Sequence, residues 1–472
     1  MRARFFRIKG GLFLWALFMA FSLKANISLP AIFGDHMVMQ QNAYIELWGW
    51  GKPLEDVYVT TTWSTDTTHT VVSQNGNWSI KLKTPEAGQI HEVTIQGYNK
   101  VSIKDILMGE VWLCSGQSNM EWSINHGIIN GEEAAKQADN NEIRLFHVEW
   151  RSAPYPNIDL KGKWLKCTPE SVRNFSSIAY FFGKELNEKT NYPVGLISSN
   201  WGGTPIESWI PEYEIRSRKH LNDAANKLPH FPWAPNEVAY TYNAMIAPLL
   251  PFNIKGVLWY QGEANVENAY AYTDMLELLV KTWRDKFKTN FAFYYAQIAP
   301  FMHYQNDDGV KVRDAQRRAL DIIPNSGMVV LSDIGDTTDI HPRNKIDAGQ
   351  RFAQLALNKT YGLNEWPVSG PLFKAYEVKN ETIIVQFDYA EGLYSSGDAM
   401  QQFEVAGEDL IWHKSEGIIK KDKVIVSSPA VKKPIHVRFA WRNSATPDLF
   451  NQDHLPASSF TTYEWHNVKH SL

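Results

Sequence analysis

The sequence predicts an α/β protein whose central domain is a doubly wound parallel sheet, flanked by N-terminal and C-terminal regions that resemble β-sandwiches. From residue 107 onward, apolar strands alternate with amphipathic helical stretches, which is typical of a parallel sheet. Before that point and again after residue 365, short runs with a period of two are separated by turn residues. The predicted divisions are a signal peptide (1–25), an N-terminal β domain (26–105), an α/β domain (106–364) and a C-terminal β region (365–472).

The first 25 residues are typical of a secretory signal peptide. Basic residues from Arg2 to Lys9 precede an apolar stretch from Leu12 to Leu23, and Ala25 offers a small residue for cleavage. The stretch is short for a bilayer span, so we expect no stable membrane anchor. The prediction is an exported protein, either periplasmic or secreted.

Composition narrows the class of partner. The chain has 472 residues and a net charge of −4, which becomes about −9 without residues 1–25, because that segment carries five basic side chains and no acidic one. This balance argues against nucleic acid as a partner. Aromatic residues make up 13% of the chain, and exposed rings suit the apolar faces of sugars. Cys114 and Cys167 permit one disulfide, although two buried thiols are the favoured interpretation.

The predicted elements follow from local periodicity. In the N-terminal region, alternating runs predict strands at 44–48, 57–61, 70–72, 78–82 and 92–96. In the α/β domain, continuous apolar runs predict strands at 110–114, 143–149, 194–199, 254–260, 291–297 and 327–332. Amphipathic patterns predict helices at 178–187, 272–283 and 313–320, and another helix after Pro342. After residue 365, strands are expected at 382–387, 403–405, 423–426 and 435–441.

The stretch from Gly109 to Trp122 contains the first candidate for chemistry. The hydrophobic run Val111–Cys114 breaks at Gly116, which is how a buried strand ends in a loop that presents a small polar side chain. Ser118 at that tip is the candidate nucleophile. The alternative is a tight turn that only caps a helix.

Three later loops supply candidate partners for this serine. Gly202 and Gly203 directly follow a strand and allow backbone N–H groups to approach a ligand, and Gln261 follows the next strand as a side-chain donor or a solvated amide. His341 follows the last strand, with Asp339 two residues before it. Loops at the carboxyl ends of parallel strands meet at one edge of the sheet. Together these residues are the nucleophile, oxyanion donors, base and orienting acid of serine-based acyl transfer.

At this level of detail the sequence resembles the sialate O-acetylesterases, a branch of the SGNH hydrolases. The resemblance is carried by Gly116-Gln-Ser-Asn-Met120, Trp201-Gly-Gly-Thr-Pro-Ile-Glu-Ser-Trp209, Trp259-Tyr-Gln-Gly-Glu263 and Asp339-Ile-His-Pro-Arg-Asn-Lys345. It implies an SGNH-type α/β domain with accessory β domains, no metal and no cofactor. It also implies an activity, the hydrolysis of O-acetyl esters on sialic acids.

The same resemblance implies roles for individual residues. Ser118 matches the family serine, His341 the base, and either Gly202 or Gly203 the oxyanion glycine. Gln261 replaces the asparagine of the broad superfamily but fits this branch. The superfamily has an aspartate three residues before the histidine, and here that position is Thr338. Asp339 is the preferred orienting group, and the alternatives are Asp336, Glu263 or a backbone carbonyl.

The substrate is expected to be an acetylated sialic acid or another acetylated glycan. A sialic acid carries a carboxylate, for which Arg343, Lys345 and Arg313 are candidate partners, although solvated helix charges are the simpler interpretation. Acetylated xylan needs no such cation and is the rival substrate. Asn119 and the tryptophans Trp122, Trp201 and Trp209 are candidate substrate contacts, and the tryptophans are equally compatible with hydrophobic core. A non-catalytic glycan-binding protein is the alternative from another class.

Overall fold

The computed structural model describes residues 26–467, so the predicted signal peptide and the last five residues lie outside the described part of the chain. The N-terminal region is built from β1 (Val38–Gln40), β2 (Tyr44–Trp50), β3 (Asp56–Thr61), β4 (Thr67–Val71), β5 (Asn77–Lys83) and β6 (Ile90–Gln96). Burial alternates along β5, where Trp78, Ile80 and Leu82 are buried and their neighbours are exposed. This alternation is what a sheet with one solvated face requires. β2 pairs with β5, while β3 pairs with β4 and β6.

One long strand, β7 (Lys100–Gly116), joins this region to the central sheet. Its first half pairs with β6 and β1, and its second half pairs with strands of the α/β domain. Asp105 has a positive φ of 53°, close to a shift in the pairing register with β6. The strand therefore runs through the predicted boundary at residues 105 and 106.

The elements of the α/β domain include every strand and helix that the sequence predicted, and also four short helices and one short strand (within 118–136, 164–167 and 212–225) that it did not predict. They are α1 (Ser118–Glu121), α2 (Gly131–Lys136), β8 (Asn140–His147), β9 (Trp164–Cys167), α3 (Ser177–Thr190), β10 (Val194–Asn200), α4 (Glu212–Arg216), α5 (Lys219–Ala225), β11 (Gly256–Tyr260), α6 (Tyr272–Phe287), β12 (Ala292–Ala296), α7 (Asp308–Ile322), β13 (Ser326–Val329) and α8 (Lys345–Lys359). The sheet order is β13-β12-β11-β7-β10-β8-β9. Every neighbouring pair is parallel except β8 with β9.

Successive residues of β7 show that helices cover both faces of this sheet. Val111 and Leu113 belong to one hydrophobic cluster with residues of α6, whereas Trp112 and Cys114 belong to another with residues of α3 and α8. Both cysteines are buried free thiols. β10 pairs with one edge of β7, and the next strand in the chain, β11, pairs with the opposite edge of β7. Such a switch in strand order opens a crevice at the carboxyl ends of the strands, where ligands bind.

The C-terminal region is again made of strands. They are β14 (Leu372–Lys379), β15 (Thr382–Asp388), β16 (Tyr394–Ser395), β17 (Phe403–Ala406), β18 (His413–Lys414), β19 (Glu416–Lys420), β20 (Lys423–Ser427), β21 (His436–Phe439), β22 (Leu449–Phe450) and β23 (Phe460–Thr461). The sheets β14-β15-β20-β19 and β18-β17-β21-β23 share one hydrophobic core. The expected α/β architecture with flanking β regions is therefore confirmed.

The C-terminal region is fastened to the α/β domain through α7. The buried Arg313 donates to the carbonyl oxygens of Arg442 and Asn443 and to the hydroxyl of Ser459. Arg313 is therefore neither a partner for a substrate carboxylate nor a solvated helix charge, because its guanidinium is buried and occupied within the protein. Within residues 26–467, no helix has the length and apolar character that crossing a membrane requires.

Candidate active site

The turn after β7 places Ser118 at the crevice. Gly116 has a φ of 136°, and a Cβ there would lie 2.1 Å from the carbonyl oxygen of Tyr260, so only glycine fits. The Gln117 N–H donates to that same carbonyl, and its side-chain oxygen accepts from the N–H groups of Gly262 and Ala264. These bonds fix the turn against the end of β11. Ser118 is consequently the first residue of α1, at the carboxyl edge of the sheet.

Ser118 and His341 meet although 223 residues separate them in the chain. The Oγ atom of Ser118 lies 3.0 Å from Nε2 of His341, which is hydrogen-bond distance. The imidazole stacks on the ring of Trp122, with 4.6 Å between centroids and an interplanar angle of 17°. Burial, helped by the nearby charge of Lys345, lowers the pKa of His341 below its usual 6.5. The ring is therefore neutral near pH 7 and able to accept the proton of Ser118.

Asp339 is a loop acid that contacts this histidine. Its Oδ1 accepts the backbone N–H of His341 at 2.9 Å and lies 3.7 Å from the Nδ1 atom. The second distance is longer than a hydrogen bond, and it would become an ion pair when the imidazole is protonated. Asp336 instead accepts from the backbone N–H groups of Thr338 and Asp339 and from the Thr338 hydroxyl, which shapes the loop.

Behind the serine, a buried network ties the loop of His341 to α1. The Asn119 amide donates to Glu263 at 2.6 Å and to the carbonyl oxygen of Ile340 at 3.0 Å, and its oxygen accepts from Lys345 at 2.6 Å. Asn119, predicted as a substrate contact, is fully buried, so its role is to hold the loop. Burial lowers the pKa of Lys345 to about 7 and raises that of Glu263. The Lys345 ammonium is thus buried and hydrogen-bonded within the protein, and it is not available to a substrate carboxylate.

The two oxyanion candidates that are glycines differ in their surroundings. The N–H of Gly202 donates to Oε2 of Glu121 at 2.6 Å, and the space at its α-carbon borders the Ser118 side chain. Gly203 has a φ of 76° and lies directly under the Trp233 ring, where a Cβ would be 1.9 Å from a ring carbon. Gly202 is therefore the better placed donor for negative charge developing next to Ser118.

Gln261 does not reach the crevice, contrary to its expected role as an oxyanion donor. The side chain is fully buried. Its amide donates to the Thr204 carbonyl and to Asn265, and its oxygen accepts from the Tyr272 hydroxyl. A glutamine so occupied stabilises the loop after β11 and offers no free donor.

Glu121 is a functional candidate that the sequence analysis missed. Burial raises its pKa from 4.5 to about 7, and the hydrogen bond from Gly202 opposes that rise. The residue lies three positions after Ser118, so the two share a helix face and the spacing alone signals proximity. The Glu121 carboxyl therefore accepts the hydrogen bond from Gly202 that an oxyanion on the substrate would accept during the reaction.

A cavity of about 530 Å³ opens above these residues. Its lining comprises Gln117, Ser118, Glu121, Trp122, Trp150, Trp201, Gly202, Gly203, Pro229, Phe231, Trp233, Glu263, Ala264, Val266, Glu267, Ile340 and His341. Trp122 and Trp201, candidate substrate contacts, line this cavity, whereas Trp209 is fully buried and donates to the Thr204 hydroxyl, so it belongs to the core. Arg343 is exposed and lies outside this lining. Trp150, Phe231, Trp233 and Glu267 had no signal in the motifs.

These side chains form the parts of an acyl-transfer site. A serine hydroxyl contacts a neutral imidazole, and beside that serine lies Gly202, whose backbone N–H is held by Glu121. This arrangement supports attack on a carbonyl carbon and stabilisation of the resulting oxyanion.

Comparison with known proteins agrees with this chemistry. A family model described as "Carbohydrate esterase, sialic acid-specific acetylesterase" matches residues 108–358. The sialate O-acetylesterase of Homo sapiens is 28% identical, with 79% of this chain and 78% of that protein covered. The enzyme of Mus musculus is also 28% identical, over 79% of this chain and 80% of its own length.

A solved structure extends the likeness to the whole fold. A novel carbohydrate acetylesterase from Xanthomonas citri superposes with a TM-score of 0.85 at 32% identity. The match covers 93% of this chain and 100% of the other. The similarity therefore includes the flanking β regions as well as the α/β domain.

Proposed function

Since the chain belongs to the carbohydrate esterase family of sialic acid-specific acetylesterases, we propose that it is a serine esterase that removes O-acetyl groups from sialic acids. The observation that carries this proposal is the 3.0 Å contact between Ser118 Oγ and His341 Nε2, at the switch point of a parallel sheet. The choice of sialic acids as the substrate is inferred from the relatives named sialate O-acetylesterase.

The reaction proceeds through an acetyl-enzyme. His341 Nε2 takes the Ser118 proton as the oxygen attacks the acetyl carbonyl carbon. The oxyanion accepts from the N–H groups of Ser118 and Gly202, once the Glu121 carboxyl has given up the latter. The C–O bond to the sugar then breaks, and the sugar oxygen leaves with the proton from His341. Water, deprotonated by the same histidine, releases acetate and restores Ser118.

We assign the fold to the SGNH type within this proposal. Support comes from the placement of the serine, the glycine and the histidine after β7, β10 and β13, at one edge of the sheet. The asparagine position of the superfamily is the buried Gln261, so the oxyanion donors here are backbone groups.

The test is the release of acetate from an activated acetyl ester by Ser118→Ala. We expect no turnover in a folded protein, because the attacking oxygen is gone. Ser115→Ala is the matched control, since this buried hydroxyl on β7 has no hydrogen-bond partner among the described residues. Full activity of the Ser118 variant would reject this serine as nucleophile.

A neutral acetylated sugar, such as acetylated xylan, is the second candidate substrate. Among residues 26–467, those that line the cavity include glutamates at 121, 263 and 267 but no lysine or arginine. A sialic acid carboxylate would therefore enter without a cationic partner, which favours a neutral sugar. Acetylated sialic acids and acetylated xylooligosaccharides assayed side by side separate the two.

We also propose that the protein is exported, to the periplasm or outside the cell. The support is the basic, apolar and small-residue pattern of residues 1–25. Fractionation of cells that express the full chain tests it, and retention of the uncleaved protein in the cytoplasm would reject it.

A further inference from the structure

Two stacked aromatic pairs line the same cavity as Ser118 and His341. Trp150 and Trp201 lie nearly parallel, with 5.5 Å between ring centroids and an angle of 6°. Phe231 and Trp233 form the second pair, at 5.1 Å and 23°. Trp150 is 53% exposed and Trp233 is 61% exposed. Large rings this open to water around a catalytic serine are typical of a ligand-binding groove rather than of a core.

The ring of Trp150 is held in place before any ligand arrives. Its indole N–H donates to the Asn200 carbonyl at 3.1 Å, while the backbone N–H of its partner Trp201 donates to the Gly116 carbonyl. The first platform is therefore anchored to the ends of β10 and β7. Binding to such a rigid surface requires little further ordering of side chains.

The second pair is anchored by Gly203, in the loop after β10, and by Asn236. The ring of Trp233 rests on Gly203 in the space that a Cβ would occupy, and the Phe231 N–H donates to the Asn236 side chain at 3.2 Å. The absence of a side chain at Gly203 thus serves to seat this tryptophan beside Gly202. Both pairs are linked to the residues around Ser118.

We propose that the two pairs, Trp150–Trp201 and Phe231–Trp233, are platforms for different sugar rings of one neutral glycan chain whose acetylated residue sits at Ser118. The inference rests on the proposed serine esterase activity and develops its second candidate substrate, a neutral acetylated oligosaccharide, in place of a sialic acid. Aromatic faces carry partial negative charge and attract the C–H edges of a sugar ring. The carboxylates of Glu121 and Glu267 face a neutral chain without repulsion and accept hydrogen bonds from its hydroxyl groups.

The experiment compares an acetylated xylotetraose, acetylated xylose and ethyl acetate as substrates. We expect wild-type kcat/KM to be at least about tenfold higher for the tetraose than for the xylose. Trp150→Ala and Trp233→Ala should each lower the tetraose-to-ethyl-acetate ratio of kcat/KM about tenfold, mainly through KM, because each removes one stacking surface. Trp150→Phe should recover most of the loss. Tyr44→Ala, an exposed ring in the N-terminal region, is the control.

Equal losses on xylose and on the tetraose would overturn the inference, because they would mean that one ring is held between both platforms. No loss on either sugar would overturn it as well. Calorimetric binding of unacetylated xylotetraose to Ser118→Ala, with and without Trp150→Ala, tests the platforms without turnover. Binding that weakens with the tryptophan change supports the inference, and undetectable or unchanged binding overturns it. Failure of wild type to hydrolyse even ethyl acetate would reject the proposed function separately.

Discussion

Glu121→Gln should make the folded protein more stable at neutral pH while leaving it unchanged in acid. In the wild type, burial next to Ser118 raises the pKa of this carboxyl from 4.5 to about 7. Its Oε2 accepts the Gly202 N–H at 2.6 Å, and glutamine keeps an oxygen at the same place without the charge. The substitution therefore isolates the effect of ionisation.

The magnitude follows from the difference in pKa between the folded and unfolded chains. Each tenfold change in proton affinity is worth about 1.4 kcal/mol, so a rise from 4.5 to about 7 corresponds to about 3 kcal/mol. Below pH 4.5 the carboxyl is protonated in both states and makes no difference. Between pH 4.5 and 7 the unfolded chain binds fewer protons than the folded one, so the wild type loses stability as pH rises. Above pH 7 the full difference remains.

The assay is urea unfolding of both proteins at a series of pH values from 4 to 8.5. The free energy of unfolding of Glu121→Gln minus that of the wild type should rise by about 3 kcal/mol across the series, since other titrating groups cancel in the difference. Glu267→Gln, which removes an exposed carboxylate from the same cavity, should give no comparable rise. A difference for Glu121→Gln that stays flat with pH, or that falls, would refute the reasoning.

Three further predictions concern the same site. With increasing pH, kcat/KM should rise as His341 loses its proton below pH 6.5, and it should fall near pH 7 as Glu121 becomes charged and holds the Gly202 N–H more tightly. Glu121→Gln should abolish the fall near pH 7, and an unchanged fall would contradict this role. Gly203→Ala should displace Trp233 and reduce esterase activity, read by tryptophan fluorescence and turnover, whereas Gly34→Ala, with open space around it, should do neither. Asn119→Leu should lower the free energy of unfolding by about 3–5 kcal/mol, because two buried charged groups, Lys345 and Glu263, each lose their hydrogen bond to the amide; a loss below 1 kcal/mol in a denaturant titration would contradict that account.

Much of the fold was predictable because burial on both faces writes a continuous apolar run into a strand. The runs ending near residues 114, 199 and 260 are β7, β10 and β11 in the structure. The continuity of β7 was not predictable, since its first half alternates and its second half is fully buried. That change from alternating to continuous burial predicts two strands, although β7 is one strand whose two halves pair with different sets of neighbours. Two-residue strands such as β16 and β22 carry no periodicity at all.

For the site, a residue's position after a strand predicted which edge of the sheet it lies at, but it did not predict whether its side chain points into the crevice or into the core. Ser118 and His341 meet as expected, because loops at the carboxyl edge converge. Gln261, directly after β11, and Trp209, in the segment after β10, point into the core instead, where their polar atoms find partners. Sequence cannot show which way such a side chain turns, since the choice depends on neighbours from distant segments.

The departure at Thr338 raises the question of what holds the base in place. The side chain of Trp122 stacks on the imidazole, and the backbone on both sides of the peptide bond before His341 is tied down. The Ile340 carbonyl is bound by Asn119, and the His341 N–H is bound by Asp339. Ring packing and backbone hydrogen bonds thus hold the imidazole in position although no aspartate stands at residue 338. The 3.7 Å separation from Asp339 gives Nδ1 only an electrostatic partner. Because Asn119 also follows the nucleophile in the chain, serine and histidine are positioned by a common buried network, so their 3.0 Å contact does not depend on a single acid.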